Sequence, residues 1–140
     1  MRGLRQMLSW VLAIFLVVMF LMLADTKLLV DASGENVIFA TIAERSGIPL
    51  FEPTGRYAVG VAEAVTALLI ALPFTRRFGA FLAFCITAAA VGFHVSPWLG
   101  VEAPTAIGGA DTDGGELFNL ALALLAASVL LVFVHPKSGR

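Results

Sequence analysis

Residues 54–74 read TGRYAVGVAEAVTALLIALPF, an apolar stretch with one carboxylate, Glu63, set inside it. At 1.5 Å rise per residue, a helix over this stretch is about 30 Å long, the thickness of a bilayer's hydrocarbon core. Glu63 then lies near mid-membrane, slightly toward the end where the helix begins. A charged side chain at that depth costs at least about 2.5–3.5 kcal/mol, so it should face other helices and have a partner.

The surrounding sequence has the same character. Hydrophobic residues make up 59% of the 140 residues and charged ones 14%, and mean hydropathy is +0.94, which excludes an ordinary water-soluble domain. Four apolar runs, 7–24, 57–74, 78–98 and 117–134, are each long enough to span. The expected fold is therefore all-α: one integral membrane domain over 1–140, an antiparallel four-helix bundle with helices over about 7–29, 54–74, 77–98 and 115–134. The first run follows Arg2 and Arg5, as a signal peptide would. It exceeds the usual apolar length of such a peptide and has no clean small-x-small site near Ala24, so a retained helix is expected.

Charge sets the expected orientation. Arg2 and Arg5, Arg76 and Arg77, and Lys137 and Arg140 lie in segments without a carboxylate. The other two links hold Asp25, Asp31, Glu35, Glu44 and Glu52 in one, and Glu102, Asp111 and Asp113 in the other. The positive-inside rule then places both termini in the cytoplasm and both long links outside. In the first outer link Ser33 can cap a short amphipathic helix over about 34–46, with Val37, Ile38, Ile42 and Ala43 on its apolar stripe, and Gly47 and Pro49 stopping it. The second, over 100–115, has Pro104, Gly108, Gly109, Gly114 and Gly115 with two aspartates and reads as a flexible loop. Pro97-Trp98 ends the third helix at an interface.

Few polar groups remain inside the spans: Lys27 with Asp25 at the end of the first helix, Glu63 in the second, His94 near the end of the third, Glu116 and Asn119 at the start of the fourth. All fall in the outer half, and none in the inner. Glu63 shares its face with Val59, Gly60, Thr66 and Ala67; His94 with Ala83, Thr87, Ala90 and Val91; Glu116 and Asn119 with Ala123, Ala126 and Ala127. Small residues let membrane helices approach and polar ones bond across the contact, so these three faces are expected to converge.

Each group has two readings. Glu63 is either a structural acceptor between helices or part of a ligand, proton or redox site. Lys27 either snorkels to the interface or balances Glu63, for which Arg56, two turns earlier on the same helix, competes. His94 is a satisfied imidazole or a proton-exchanging one. Glu116 complements a helix dipole and Asn119 serves packing, unless they join the site. No helix carries the E-x-x-H pair of a metal-binding bundle, so no metal is expected. The lone Cys85 reads as a buried, inert residue. Phosphate-cradling loops and nucleic-acid patches are absent from the sequence.

Lys27-Leu28 closing the first helix, the turn Gly47-Ile48-Pro49, Gly60-x-x-Glu63, Arg76-Arg77 and Glu116 opening the fourth helix occur in an order that resembles the DoxX-like family of small four-helix membrane proteins. The resemblance covers residues 7–134; the family's Gly-rich ending is replaced by His135-Pro136-Lys137. It implies a bacterial inner-membrane location and a link to quinone-dependent oxidation, with a quinone as a candidate cofactor and a membrane or periplasmic oxidoreductase as a candidate partner; the lipid bilayer and a second copy of the chain are the other partners to expect. On that basis the expected site gathers Glu63, His94, Glu116, Asn119, Lys27 and Arg56 around a lipophilic ligand. A structural subunit without a ligand is the first rival and a small transporter the second.

Overall fold

The computed structural model describes residues 1–30 and 34–135. Helix α1, Arg2–Asp25, continues into one wider-wound segment, Thr26–Val30; then come α2, Val37–Ser46, a short 3-10 turn, Pro49–Phe51, and α3, Thr54–Ala71, α4, Arg76–Val95, and α5, Glu116–Val134. No strand occurs among the described residues, and the loop between α4 and α5 contains one isolated antiparallel bridge, Pro104 to Thr112. Four helices are long and apolar enough to cross a membrane: Gly3–Leu29, Thr54–Ala71, Arg76–Val95 and Glu116–Val134. That is the pattern of a multi-pass membrane protein.

The helix ends follow local chemistry and depart from the expected bounds by a few residues. Leu72 precedes Pro73 and Ser96 precedes Pro97, and both are extended, so α3 and α4 stop short of residues 74 and 98. Helix α2 starts at Val37 instead of 34, because Asn36 is its cap: Asn36 Oδ1 accepts the N–H groups of Ile38 and Phe39 at 3.1 and 3.2 Å. The expected cap, Ser33, lies outside the described residues. Gly47, at φ 73°, ends α2 in the left-handed conformation that glycine adopts without strain.

Helix α1 packs on α3 and α5, and α4 packs on α3 and α5, which closes a ring. Leu16 and Phe20 of α1, Ile70 of α3, Ala80 and Ala83 of α4 and Leu131 of α5 meet inside it with no exposed surface. Only 28–33% of each span is buried against the rest of the protein. The outward faces carry Val11, Ile14, Phe81, Leu130 and Phe133, far more apolar surface than water-soluble monomers leave open.

The four-residue link between α3 and α4 is drawn tight by its own hydrogen bonds. Thr75 Oγ1 donates to the Leu69 carbonyl at 2.8 Å and Arg76 Nε to the Ile70 carbonyl at 2.9 Å, satisfying carbonyls that the end of α3 leaves open. Gly79 makes the approach possible: a Cβ there would fall 2.7 Å from Ile70 N and 2.9 Å from the Leu69 carbonyl carbon. Those are backbone atoms and cannot rotate away. Gly79→Ala is therefore expected to cost about 1–3 kcal/mol, read as a lowered unfolding midpoint in detergent. Gly92→Ala, where a Cβ meets nothing within 4 Å, should be nearly silent.

Candidate functional site

Glu63 is 3% exposed, on the inward face of α3 with Gly60, Thr66 and Ala67. Its partner is Lys27, whose Nζ donates to Glu63 Oε1 at 3.0 Å and to the Leu23 carbonyl at 3.3 Å. Gly60 is what lets the two chains come so close. A Cβ at Gly60 would lie 3.1 Å from the Lys27 Cβ and 2.9 Å from the Leu28 side chain. Glu63 Oε2 and Thr66 Oγ1 are buried with no hydrogen-bond partner among the described residues.

Arg56 does not compete for Glu63. It is 1% exposed, its Nε reaches both carboxylate oxygens of Glu52 at 2.9 and 3.0 Å, and its remaining nitrogens donate to the Lys27 carbonyl at 2.9 Å and the Gly34 carbonyl at 3.1 Å. Its role is to hold the backbone that carries Lys27. The i, i+4 spacing of Glu52 and Arg56 was the available signal for this pair, and sequence reasoning passed over it.

His94 is 5% exposed on α4, with Nδ1 2.9 Å from the Gly100 carbonyl oxygen and its ring 5.7 Å from that of Phe118. Lys27, Glu63 and His94 all line one cavity of about 590 Å³. Its walls are apolar: Phe20 and Leu23 from α1, Val59 and Ala62 from α3, Ile86, Ala90 and Phe93 from α4, Leu120, Ala121 and Leu124 from α5. Asn36, Ile38, Phe39 and Ile42 of α2 and its cap lie across it. The far end of α2 is anchored, since Ile42 packs on Leu99 and Ala103 and Arg45 donates to the Leu99 carbonyl at 3.0 Å. The volume is that of an ordinary small-molecule site, apolar with a few placed polar groups.

Glu116 and Asn119 are not brought to this site. Both are exposed, as are Ala123 and Ala126, and α5 buries Ala121, Leu124, Ala127, Ser128 and Leu131 instead. The helix is apolar on every side, so two polar residues in its first turn do not set its inward face. The expected convergence of three polar faces is thus corrected to two, α3 and α4, joined by the end of α1. Cys85 is also corrected: it is exposed and borders the cavity. Asp25 is exposed. Among the described residues no three His, Cys, Asp or Glu side chains gather as metal ligands.

The loop before α5 is ordered by Asp113, against the expectation of a flexible link. Asp113 Oδ1 accepts the N–H groups of Ala103 and Gly115 at 2.9 Å, and Oδ2 accepts that of Leu117 at 2.9 Å. Burial pushes its carboxyl up, but the three N–H donors, helped by the nearby His94, outweigh that and hold it below the ordinary Asp range. A depressed native value means that the stabilisation is present at neutral pH and lost only as pH falls below the ordinary value of about 3.9, through the native one. Asp113→Ala should cost about 0.5–2 kcal/mol at pH 7, as for a lost helix cap, and the gap from the parent should close in thermal melts below about pH 4.

The opposite end of the molecule is held together by polar groups of the tails and the α3–α4 link, with Ser9 of α1. His135 Nδ1 lies 2.9 Å from Ser9 Oγ, and Nε2 lies 3.0 Å from the Pro73 carbonyl, to which it must donate. Arg5 donates to the Val134 and Phe133 carbonyls at 3.0 and 2.9 Å. Arg76, 1% exposed, stacks its guanidinium 3.9 Å above the Trp10 ring. Burial lowers the His135 pKa and the charges of Arg76 and Arg77 add to that, against the bond to Pro73. These contacts tie three chain segments together at that end. No family model, curated protein or solved structure matches the chain.

Proposed function

We propose that this is an integral membrane protein, an antiparallel four-helix bundle of the DoxX-like kind in the bacterial inner membrane with both termini cytoplasmic. It binds a quinone or another lipophilic small molecule in the cavity beside Lys27, Glu63 and His94, as a redox-associated subunit whose partner is a membrane or periplasmic oxidoreductase. The single observation that carries this reading is the apolar cavity of about 590 Å³ with a buried ion pair in its wall. A closed packing role would not need the space, and an ion pair is an expensive way to line a cavity unless something uses it. The apolar outward faces and the carboxylate-free segments around Arg5, Arg76 and Arg77 support the membrane placement and its orientation.

The test is ligand binding by the purified protein before and after Glu63→Gln. Loss of the carboxylate should weaken binding of a short-chain quinol, whose hydroxyl can donate to it, by about tenfold, the effect of one charge-assisted hydrogen bond. Unchanged affinity would contradict it. The close approach at Gly60 favours one rival, in which the ion pair serves helix packing alone; Glu63→Gln would then lower stability and leave binding untouched. Transport finds less support, because Leu16, Phe20, Ile70 and Leu131 fill the interior between the two polar ends.

A further inference from the structure

The cavity beside Lys27 is polar at one end and apolar at the other. Lys27, Asn36 and His94 line the end that lies under α2. Phe20, two turns back along α1, Cys85 and Ile86, more than two turns back along α4, and Leu124, two turns into α5, line the far end. Thr87 also borders that end, but its hydroxyl donates to the Ala83 carbonyl of its own helix at 2.8 Å.

Three residues of the wall, Ala62 of α3 with Cys85 and Ala89 of α4, are exposed. Helical angles fix the side on which they lie. A Cβ at Gly60 would meet Lys27 and Leu28 of α1, and Ala62 stands about 200° further round α3, away from α1. The His94 ring meets Phe118 of α5, while Cys85 and Ala89 stand about 180° and 140° round α4 from it, away from α5. The cavity thus reaches the surface between α3 and α4. Nearer their link the same two helices touch, where Gly79 meets the backbone of Leu69 and Ile70, so the gap begins beyond that contact. Its borders are small side chains, whereas Phe81 and Phe84, also exposed on α4 but outside the wall, are large. Thr26 and Leu117 are the other exposed residues of the wall, and both sit at the polar end, on the α1 and α5 sides.

From this shape we infer that the cavity holds the compact polar head of a long-tailed membrane lipid and passes its tail sideways into the bilayer between α3 and α4, past Ala62, Cys85 and Ala89. A closed cavity must enclose the whole of its ligand. One that opens at its apolar end fixes the head alone, and the tail stays in hydrocarbon, where it exposes no apolar surface to water. The head then points toward the polar end, beside Lys27, Asn36 and His94. A water-soluble solute gains nothing from a mouth that faces acyl chains. The inference rests on the lipophile-binding reading above and adds to it the class of ligand and its route.

The test uses the full chain in nanodiscs and two probes with one ring: a benzoquinone carrying an ethyl group, and the same ring carrying a hexadecyl chain with a diazirine at its midpoint. Both are expected to bind. Photolysis of the second should place an adduct on α3 or α4 at or beside Ala62, Cys85 and Ala89, and excess unmodified hexadecyl quinone should suppress it. Ala89→Trp, which narrows the gap, should weaken the hexadecyl probe at least about tenfold more than the ethyl one. Val61→Trp, exposed on α3 but outside the wall, should change neither. Suppressible adducts confined to Thr26 and Leu117, equal losses of both probes in Ala89→Trp, or binding of the ethyl probe alone would overturn the sideways passage and leave the lipophile site standing. A parent that binds neither probe would overturn the site and the passage together. The adduct on the parent protein decides the matter even if Ala89→Trp does not fold.

Discussion

Lys27→Met is expected to lower the stability of the folded protein by about 3–5 kcal/mol, the usual cost of removing one member of a buried ion pair. The reason lies mostly with the partner left behind. The Glu63 side chain is 4% exposed and that of Lys27 13%, so the carboxylate loses its counter-charge while still almost wholly buried. It must then either stay ionised without a counter-charge or take up a proton on folding. Replacing both residues, as Lys27→Met with Glu63→Leu, removes the charge along with its partner and should recover most of the loss. Thermal unfolding in one detergent at pH 7 measures all four corners of the cycle. A double variant no more stable than Lys27→Met would show that packing around Lys27, and not its charge, holds the segment.

Arg56→Met should be comparably costly, about 3–5 kcal/mol, because the guanidinium serves four acceptors at once: both oxygens of Glu52 and the carbonyls of Lys27 and Gly34. Its removal strands the Glu52 carboxylate, whose side chain is 7% exposed, and frees the backbone beneath Lys27. Arg56→Lys keeps the charge but cannot reproduce the planar fork that reaches a carboxylate and two carbonyls in different directions, so it should recover only part of the loss. Since Arg56 holds the backbone of Lys27, the losses in Arg56→Met and Lys27→Met should fall short of adding in the double variant. Strict additivity, measured on the same melting curves, would mean that the two charged groups act independently.

What could be read from the sequence was whatever length and local chemistry dictate. Four apolar runs of spanning length became the four long helices, Gly47 stopped α2, and the prolines at 73 and 97 shortened the helices before them. Lys27 and Arg56 were both visible as counter-charges for Glu63, but choosing between them needed the approach that Gly60 permits and the presence of Glu52 for Arg56 to bind. The inward face of α5 was not legible, because a helix that is apolar on every side has no periodic signal to mark one. The order of the loop after α4 was hidden for another reason: a Gly- and Asp-rich composition reads as flexible, and only the fold brings three N–H groups to Asp113. Likewise Ser9 and His135 are 126 residues apart in sequence, and nothing local announces their contact.

The cavity itself can be filled without touching a charged group. Ala90 lies in its wall, and Ala90→Phe adds a ring to the space while leaving Lys27, Glu63 and His94 in place. Native mass spectrometry of the parent and this variant, each released from lipid nanodiscs, compares directly what the cavity holds. The expected spectrum shows the parent with one lipophilic adduct of defined mass and the filled variant without it. A folded parent that carries no such adduct, or a filled variant that carries it equally well, would contradict a ligand at the Lys27–Glu63 pair.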